Sequence, residues 1–402
     1  MKLCISFGKV ELKYFIYCFL FIILQLYLFY FIYYEKEEEE EEKEKEENIV
    51  NEHCLMHSFC FFLGYLLNII PVWISHIYSK EKEKKPLANE SDEASNHSIE
   101  YIYNNPNEKY LSTKDILIFL FICLILLITD LAENIAIKID NKIIEENKIN
   151  KEYNDDYLLL EVLIIFSVNK IGKEVYYKHQ NISFLILIFI GAIKYIYFYS
   201  NNPKFSYISI ILNIIYSVLY AIYYLFIKRL MRNKFITPYK CNYIIGIINV
   251  PLIILIYLII SVTPFGNTNN SYYYDNIFDA FKKFGNLDAK NWIILITLPF
   301  IYGIYQFIVT KTIYDYTIYH MYLPFLIQYF IENIIYNFGT VGNIILISSF
   351  LIELIMLLIF IEIIEINFCG FNQNLKKNIE LRALTESSLA IENDDDDEIV
   401  DE

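Results

Sequence analysis

The sequence predicts an all-α membrane protein of ten transmembrane helices, arranged as an inverted repeat of five plus five. Composition is the first reason: 56% of the 402 residues are hydrophobic and the mean hydropathy is +0.35, above the roughly 45–50% apolar share of soluble domains. The second reason is that apolar residues form long runs, most of them near the roughly 20 residues that cross a bilayer. The third is that lysine and arginine alternate between high and low numbers along the connecting loops.

Ten apolar runs mark the candidate helices. The first is too long for a signal-peptide core and is followed by acids instead of a small-residue cleavage site, so we expect it to be retained. The fourth and fifth are short for membrane spans. In chain order the runs are Tyr14–Tyr34, Leu55–Tyr78, Asp115–Ile135, Tyr157–Ile171, Ile182–Tyr199, Tyr207–Ile227, Tyr243–Val262, Trp292–Tyr314, Thr317–Phe338 and Val341–Ile366. For 276–284 the sequence leaves two interpretations open, a short amphipathic helix on the membrane surface or a folded loop.

Positive charge near the helix ends indicates the orientation. With a cytoplasmic N-terminus, 21 of the 33 lysines and arginines fall on the cytoplasmic side and Lys194 lies within a span. Ten spans then place both termini in the cytoplasm. The glycosylation sequon at Asn269 becomes lumenal, whereas those at Asn89, Asn96 and Asn181 become cytoplasmic and carry no glycan.

The chain divides into two helical halves with charged ends and loops. The predicted parts are a cytoplasmic N-terminus at 1–13, a first five-helix half at 14–199 with disordered loops at 35–53 and 79–113, a second half at 207–366, and an acidic cytoplasmic tail at 367–402. Much of the net charge of -15 lies in Glu35–Glu47 and Asp394–Glu402, runs typical of solvated, disordered segments. Heavy use of Ile, Asn, Lys, Tyr and Phe indicates nucleotide bias, so the 37 tyrosines are weak evidence for an aromatic site.

Ionisable groups within the predicted spans are the candidate residues for substrate binding or proton coupling. An ionisable side chain in a span costs several kcal/mol unless it meets a partner or water, and is by default a functional candidate. The candidates are Glu332, Glu353, Gln328, Glu161, Lys194 and Asp130.

Each candidate also has a structural interpretation, which we set beside the functional one. Glu332 and Glu353 either exchange a proton or bind a cationic group, or else form a neutral hydrogen bond between two helices. Glu161 lies about one turn inside the fourth helix, within reach of lumenal water. For Asp130, at the end of the third helix, solvation is favoured. Lys194 is a counter-ion for Glu161 or for a solute anion, or its ammonium group extends to the lumenal surface.

Signals for other function classes are weak. The chain has no glycine loop for phosphate, no paired metal ligands, no nucleophile motif, and seven scattered cysteines without metal spacing, so we expect no cofactor and no nucleic-acid partner. Asp155 and Asp156, before the fourth helix, leave open a lumenal, membrane-embedded glycosyltransferase-like enzyme. The acidic tail leaves open a non-catalytic membrane scaffold.

Short blocks, in order along the chain, resemble a known family. They are Phe62–Gly64, Asp130 with Ala132, Ile164–Phe166, Asp279–Phe281 and Val309–Lys311. With the helix layout over 54–366, they resemble the drug/metabolite transporter superfamily, in particular the F-type branch of solute carrier family 35. The chloroquine-resistance-type branch, with its long lumenal loop between helices seven and eight, is a close competitor.

The resemblance implies ten helices, an inverted repeat, cytoplasmic termini and solute transport across an endomembrane. This chain departs from the family in its polar insertion at 138–156 and in the acidic loop after the first helix. F-type members also tend to carry an arginine in helix four and another in helix nine, where this chain has Glu161 and Gln328. An anionic solute is therefore in doubt.

The sequence as a whole predicts a solute transporter with a cavity between its halves. Such transporters place the substrate near the midplane, where the two repeats meet. Acids outnumber bases in the predicted spans, which favours a cationic, zwitterionic or proton-coupled small molecule. We expect a multi-pass protein of an endomembrane, such as a Golgi, lysosome-like or vacuolar membrane. The lipid bilayer is its expected partner, and homodimer formation is left open.

Overall fold

The computed structural model describes most of the apolar part of the chain. The described residues are 5–7, 11–29, 54–74, 77, 112–147, 157–171, 176–201, 207–263, 276–284, 289–337 and 341–366. They form helices α1 Leu12–Phe29, α2 Cys54–Leu67, α3 Thr113–Asn147, α4 Tyr157–Ile171, α5 Lys178–Asn201, α6 Tyr207–Lys234, α7 Pro238–Val262, α8 Ile277–Phe284, α9 Ala289–Asp315, α10 Ile318–Asn337 and α11 Val341–Phe360, with short strands β1 Ile5–Phe7 and β2 Ile364–Ile366.

The distribution of polar and apolar side chains identifies an all-α membrane protein. Stripes of leucine, isoleucine and phenylalanine at helical spacing are exposed, as at Leu117, Phe121 and Leu124 of α3, while charged groups such as Glu161 and Lys194 are buried. A soluble protein has the opposite arrangement. Five helices of the described chain are long and apolar enough to cross a membrane, and two shorter apolar helices accompany them: Leu55–Ile74, Thr113–Ala136, Ile210–Lys234, Pro238–Val262 and Trp292–Asp315, then Leu12–Leu28 and Ile347–Phe360.

Each of the ten predicted apolar runs overlaps a helix of the structure. The second is interrupted by a turn at Asn68 and becomes helical again over 69–74, with Pro71 in that second piece. The helix that contains the third run, α3, extends to Asn147 and therefore ends inside the polar insertion at 138–156. At 277–284 the structure has a helix, α8, which is held against the end of α7 because the Ile277 N–H donates a hydrogen bond to Ser261 Oγ at 2.8 Å. Phe278 and Phe281 are each 60% exposed on it.

Glycines let α2 pack closely between α7 and α9. A Cβ at Gly64 would lie 2.7 Å from Tyr302 Cβ, and one at Gly303 would lie 2.9 Å from Gly64 O. A Cβ at Gly246 would overlap the backbone of Leu66. Small residues at helix crossings allow this backbone approach in membranes. The crossing is also polar, since Asn68 Nδ2 donates to the carbonyl oxygens of Gly64 and Gly303 at 3.1 and 3.2 Å.

Other helices pack around this trio in a regular pattern. α6 lies against α3 and α4, α5 lies against α11, and α1 lies against α9 and α10. The start of α7 follows from its sequence: Thr237 is the N-cap and accepts from the Lys240 N–H, and Pro238 occupies the first turn, where its missing N–H costs nothing.

Several helix ends meet at one end of the bundle, which we call the shared end. Lys13 at the start of α1 binds Asp315 at the end of α9, with Nζ 2.6 Å from Oδ2. Lys234 at the end of α6 binds Asp115 at the start of α3, again at 2.6 Å. Tyr316, between α9 and α10, donates to Glu11 at 2.9 Å.

The remaining connections on this side join the same network. The hydroxyl of Tyr319, at the start of α10, accepts a hydrogen bond from Asn169 Nδ2 at the end of α4, at 3.4 Å. The same hydroxyl lies 2.7 Å from the hydroxyl of Tyr176, before α5. Gln180 in the first turn of α5 donates to the carbonyl of Phe360 at the end of α11. β1 and β2 pair antiparallel, with Ile5 opposite Ile366. The strand before the first helix and the strand after the last therefore lie together.

Candidate functional site

Three tyrosines on one face of α6 lie inside the bundle. Tyr220, Tyr223 and Tyr224 are three and four residues apart, a spacing that places them on the same side of a helix. The rings of Tyr220 and Tyr224 stack with centroids 5.5 Å apart, and those of Tyr223 and Tyr224 lie 5.2 Å apart. Tyr223 and Tyr224 are 2% and 6% exposed, so this face is covered by neighbouring helices instead of lipid.

Tyr65 on α2 connects these tyrosines to α9. Its hydroxyl lies 3.1 Å from the hydroxyl of Tyr223 and donates a hydrogen bond to Gln306 Oε1 at 2.7 Å. Tyr305, beside Gln306 on α9, is also buried and interacts electrostatically with Tyr224 and Tyr65. A hydroxyl–amide network therefore runs from α6 through α2 to α9.

Carboxylates from α3 and α4 face the tyrosines. Asp130 and Glu133, three residues apart on α3, both interact electrostatically with Tyr220. Glu161 on α4 is 6% exposed and accepts a hydrogen bond from the Tyr322 hydroxyl of α10 at 3.0 Å. Glu133 is also within electrostatic range of Glu161. Acidic groups from two helices therefore lie within electrostatic range of the α6 tyrosines.

We call this group the tyrosine–carboxylate centre. Its members are Tyr65, Asp130, Glu133, Glu161, Tyr220, Tyr223, Tyr224, Tyr305, Gln306 and Tyr322. Its acids lie on α3 and α4, and its tyrosines lie on α2, α6, α9 and α10. The centre therefore joins helices from the first and the last part of the described chain.

No protein-family model and no curated protein sequence matches this chain. The function must therefore be argued from the chemistry of the centre and from the packing around it. Among the described residues, no group of three or more His, Cys, Asp or Glu side chains is placed to hold a metal ion. The groups that the centre does offer are aromatic rings, hydroxyls and carboxylates.

Asp130 is the member whose environment differs most from expectation. Its position near the end of the predicted span favoured solvation, and that expectation is wrong because Asp130 is 3% exposed. Its Oδ2 atom accepts no hydrogen bond from any described residue. Nearby, Asn134 Nδ2 donates to Ser58 Oγ at 3.0 Å and to the backbone oxygen of Asp130 at 2.9 Å. The side chains of Ser58 and Asn134 also interact with the Asp130 carboxyl group, so this acid lies at the contact between α2 and α3.

Lys194 and Glu353 form a separate, buried ion pair between α5 and α11. Lys194 Nζ lies 3.1 and 2.9 Å from the two oxygens of Glu353, and the two side chains are 4% and 3% exposed. The ammonium group also lies 3.9 Å from the ring centroid of Phe350. The sequence offered Glu161 or a solute anion as the partner of Lys194. Its carboxylate partner in the structure is Glu353 instead.

The remaining candidates lie on α10. Gln328 is buried, at 6% exposure, and its role in binding stays a prediction. Glu332 falls within α10, but its side chain lies outside the described residues, and its role stays a prediction.

Tyr316, at the shared end, has a hydroxyl whose pKa is raised by burial and by the hydrogen bond that it donates to Glu11.

Several predictions concern parts of the chain outside the described residues. These are the acidic runs Glu35–Glu47 and Asp394–Glu402, the pair Asp155 and Asp156, and the sequons at Asn89, Asn96 and Asn269. The sequon at Asn181 is described, and it lies in the first turn of α5. Its Nδ2 donates to the carbonyl oxygens of Tyr176 and Tyr177, each at 2.9 Å, at the shared end.

The tyrosines are the residues that the sequence interpretation missed. Tyrosine is so frequent in this chain that its presence in a helix carried little information. A usable signal was the spacing of Tyr220, Tyr223 and Tyr224, together with hydroxyl groups at depth in an otherwise apolar helix. Each buried hydroxyl needs a partner in a membrane interior. Several buried hydroxyls in neighbouring helices therefore indicate a common polar site.

Proposed function

We propose that this protein is a transmembrane solute transporter of the drug/metabolite type, which gives each side of the membrane access in turn to the tyrosine–carboxylate centre. The observation that carries the proposal is that two sets of five long helices both contribute polar groups to one buried centre. Transporters built from two inverted halves place their substrate at such an interface. A scaffold has no need for buried carboxylates at this depth, since each one is costly in lipid.

Helix packing supports an inverted repeat. Let α1, α2, α3, α4 and α5 correspond to α6, α7, α9, α10 and α11. The α3–α6 contact then becomes α9–α1, the α4–α6 contact becomes α10–α1, and the α2–α9 contact becomes α7–α3. All six of these contacts are present. The correspondence maps the α2–α7 contact and the α5–α11 contact each onto the same pair of helices, and both are also present. A two-fold relation between the halves accounts for this pattern.

Helix direction supports inversion of the second half. α1, α3 and α5 begin at the shared end, where Lys13, Asp115 and Gln180 make their contacts. Their counterparts α6, α9 and α11 end there, and α4 ends where α10 begins. Corresponding helices therefore run in opposite directions, as in a repeat with an axis in the membrane plane.

The proposal also states which membrane holds the protein and on which side its termini lie. The shared end collects the loops for which the sequence predicts an excess of lysine and arginine, which favours cytoplasmic termini by the positive-inside rule. We place the protein in an endomembrane, as the family resemblance implies. The proposed partner is a small-molecule solute.

Alternating access can be tested by labelling a cysteine from each side. In a version without native cysteines, Tyr305→Cys in sealed vesicles should react with a membrane-impermeant thiol reagent from either side, since each side reaches the centre in turn. The matched control is Phe121→Cys, on the lipid-exposed face of α3, which should react from neither side. Labelling of the Tyr305→Cys variant from one side only would count against alternating access.

Transport itself needs a direct assay. Purified protein in proteoliposomes should accumulate at least one solute from a panel of cations, zwitterions, neutral metabolites and nucleotide sugars, measured with and without a proton gradient. Empty liposomes are the control. Absence of flux for every class, in protein that remains monodisperse, would overturn the proposal and leave the scaffold as the better explanation.

A further inference from the structure

Two ion pairs at the shared end join the first half of the helices to the second half. Lys13 of α1 binds Asp315 of α9, and Lys234 of α6 binds Asp115 of α3. The distance from Nζ to Oδ2 is 2.6 Å in both pairs. The helix pairs α1–α9 and α3–α6 are also the ones that exchange with each other in the proposed repeat. The two halves are therefore bound together by charge on this side of the bundle.

Each aspartate of these pairs has a second partner in its own half. Asp315 Oδ1 accepts from Lys311 Nζ, one turn earlier in α9, at 3.0 Å. Asp115 Oδ2 accepts from the Ser112 N–H, just before α3, at 2.7 Å. Neither carboxylate would lose its last partner if the halves moved apart. The cost of opening either pair is low for that reason, since an unpaired charge is what makes a broken pair expensive.

The lysines of the two pairs are also within reach of water. The side chain of Lys13 is 49% exposed and that of Lys234 is 22% exposed. Water can therefore solvate either ammonium group once its aspartate has moved away. Ion pairs of this kind are weak and reversible.

The buried ion pair of Lys194 and Glu353 also joins the halves, but it differs in both respects. Its side chains are only 4% and 3% exposed, so separating them would leave two charges in the membrane interior, which is costly. Its helices, α5 and α11, map onto each other in the proposed repeat. A rocking motion of one half against the other retains contacts near the axis and separates those far from it. The buried pair is suited to stay closed while the shared-end pairs open.

Resting on the transport function proposed above, we propose that the ion pairs of Lys13 with Asp315 and of Lys234 with Asp115 form a reversible latch. The latch holds the shared end closed in this structure, and both pairs separate when the tyrosine–carboxylate centre opens to that side. Two weak pairs acting together bias the equilibrium between the two states without locking either one.

Distances between spin labels at the shared end test the latch directly. In the full-length protein without native cysteines, reconstituted in liposomes, Leu12→Cys and Thr317→Cys place labels on exposed positions of the two halves. Pulsed electron paramagnetic resonance then gives the ratio of separated to closed molecules. A second pair of labels, at Thr113→Cys and Asn233→Cys, reports on α3 and α6 in the same way.

Removing the lysine charges should open the shared end. We expect Lys13→Gln to raise the ratio of separated to closed molecules about twofold, and Lys234→Gln about fourfold because its pair is less exposed. The double variant Lys13→Gln/Lys234→Gln should raise it about eightfold. Unchanged distances in the double variant, for both pairs of labels, would overturn the latch.

Three controls separate charge between the halves from other effects. Lys311→Gln removes a partner of Asp315 that lies in the same helix, so the ratio should stay within about twofold of the original. Lys13→Arg/Lys234→Arg keeps both charges and should behave like the original protein. Salt at about 1 M should open the original protein but change the double glutamine variant by less than about twofold. Opening by Lys311→Gln as large as that of the double variant would contradict a latch between the halves.

The latch and the transport function can fail separately. If the double variant separates the shared end while the original protein moves no solute in proteoliposomes, the latch stands and transport is wrong. If the original protein moves a solute while the double variant leaves the distances unchanged, transport stands and the latch is wrong.

Discussion

Two buried acidic regions in this protein look alike in the sequence and differ in the structure. Glu353 between α5 and α11 has a lysine at 2.9 Å, while the hydrogen-bond partner of Glu161 among the described residues is a tyrosine hydroxyl at 3.0 Å. Both carboxylates are almost fully buried. The first carboxylate forms an ion pair with a described lysine, and the second forms none with the described residues. Depth in a membrane span therefore indicates that an acid matters, but its partner decides whether it stabilises the fold or binds something.

The largest expected effect comes from breaking the ion pair. Lys194→Met leaves Glu353 buried without its cation and should lower the free energy of unfolding by about 3–5 kcal/mol. Thermal unfolding in detergent, followed by tryptophan fluorescence or light scattering, measures this loss. The double variant Lys194→Met/Glu353→Leu should recover most of it, because no unpaired charge remains. A single variant as stable as the original protein would remove the structural role assigned to the pair.

Glu161→Gln should give the opposite result. The amide keeps an oxygen for the Tyr322 hydroxyl, so the free energy of unfolding should change by less than about 1 kcal/mol. Transport in proteoliposomes should fall more than tenfold, because the charge that faces the solute is lost. If Glu161→Gln lowered the free energy of unfolding by as much as Lys194→Met, the two regions would not differ in the way described.

A smaller effect is expected from the hydroxyl that bonds to Glu161. Tyr322→Phe removes the hydrogen bond and leaves the ring in place, which should cost about 1 kcal/mol in unfolding free energy. Because the carboxylate then loses its described partner, transport should change as well as stability. Tyr14→Phe is a suitable control, since the Tyr14 hydroxyl donates to the His320 carbonyl at the shared end. It should have a similar stability cost and leave solute affinity unchanged.

The smallest effect should come from an ion pair that water reaches. Lys13 binds Asp315 at 2.6 Å, but its side chain is 49% exposed. Exposed pairs contribute at most about 1 kcal/mol and are screened by salt. Lys13→Gln should therefore change the free energy of unfolding by less than about 0.5 kcal/mol, an effect that disappears at high salt. A cost comparable to that of Lys194→Met would mean that burial is not what separates the two pairs.

The helices could be predicted from the sequence because length and hydropathy act locally. Residues 157–171 form a helix with the predicted bounds, and the helix predicted over 207–227 begins at Tyr207 and extends to Lys234. At 277–284 the structure has a helix, one of the two forms that the aromatic and lysine spacing left open. The excess of lysine at one set of loops predicted which helix ends share a side, and the contacts of Lys13 and Lys234 agree with that alternation.

The partners inside the bundle could not be predicted in the same way. Lys194 and Glu353 are 159 residues apart, and nothing local indicates that α5 lies against α11. Tyr65 and Gln306 are 241 residues apart, and their contact depends on the close crossing of α2 and α9 at Gly64 and Gly303. Side-chain depth in a single helix is readable from sequence. The identity of the neighbour is a property of the packed bundle.

The pairing of β1 with β2 has a consequence for how the protein is made. Ile5–Phe7 is synthesised before the helices, but its partner Ile364–Ile366 follows only after all the described helices of the bundle. Until then the first strand has an unsatisfied edge, which is open to the wrong partner. Formation of the two-stranded sheet therefore requires that α1 to α11 have all been synthesised, and a product truncated before residue 364 would leave the first strand without this partner.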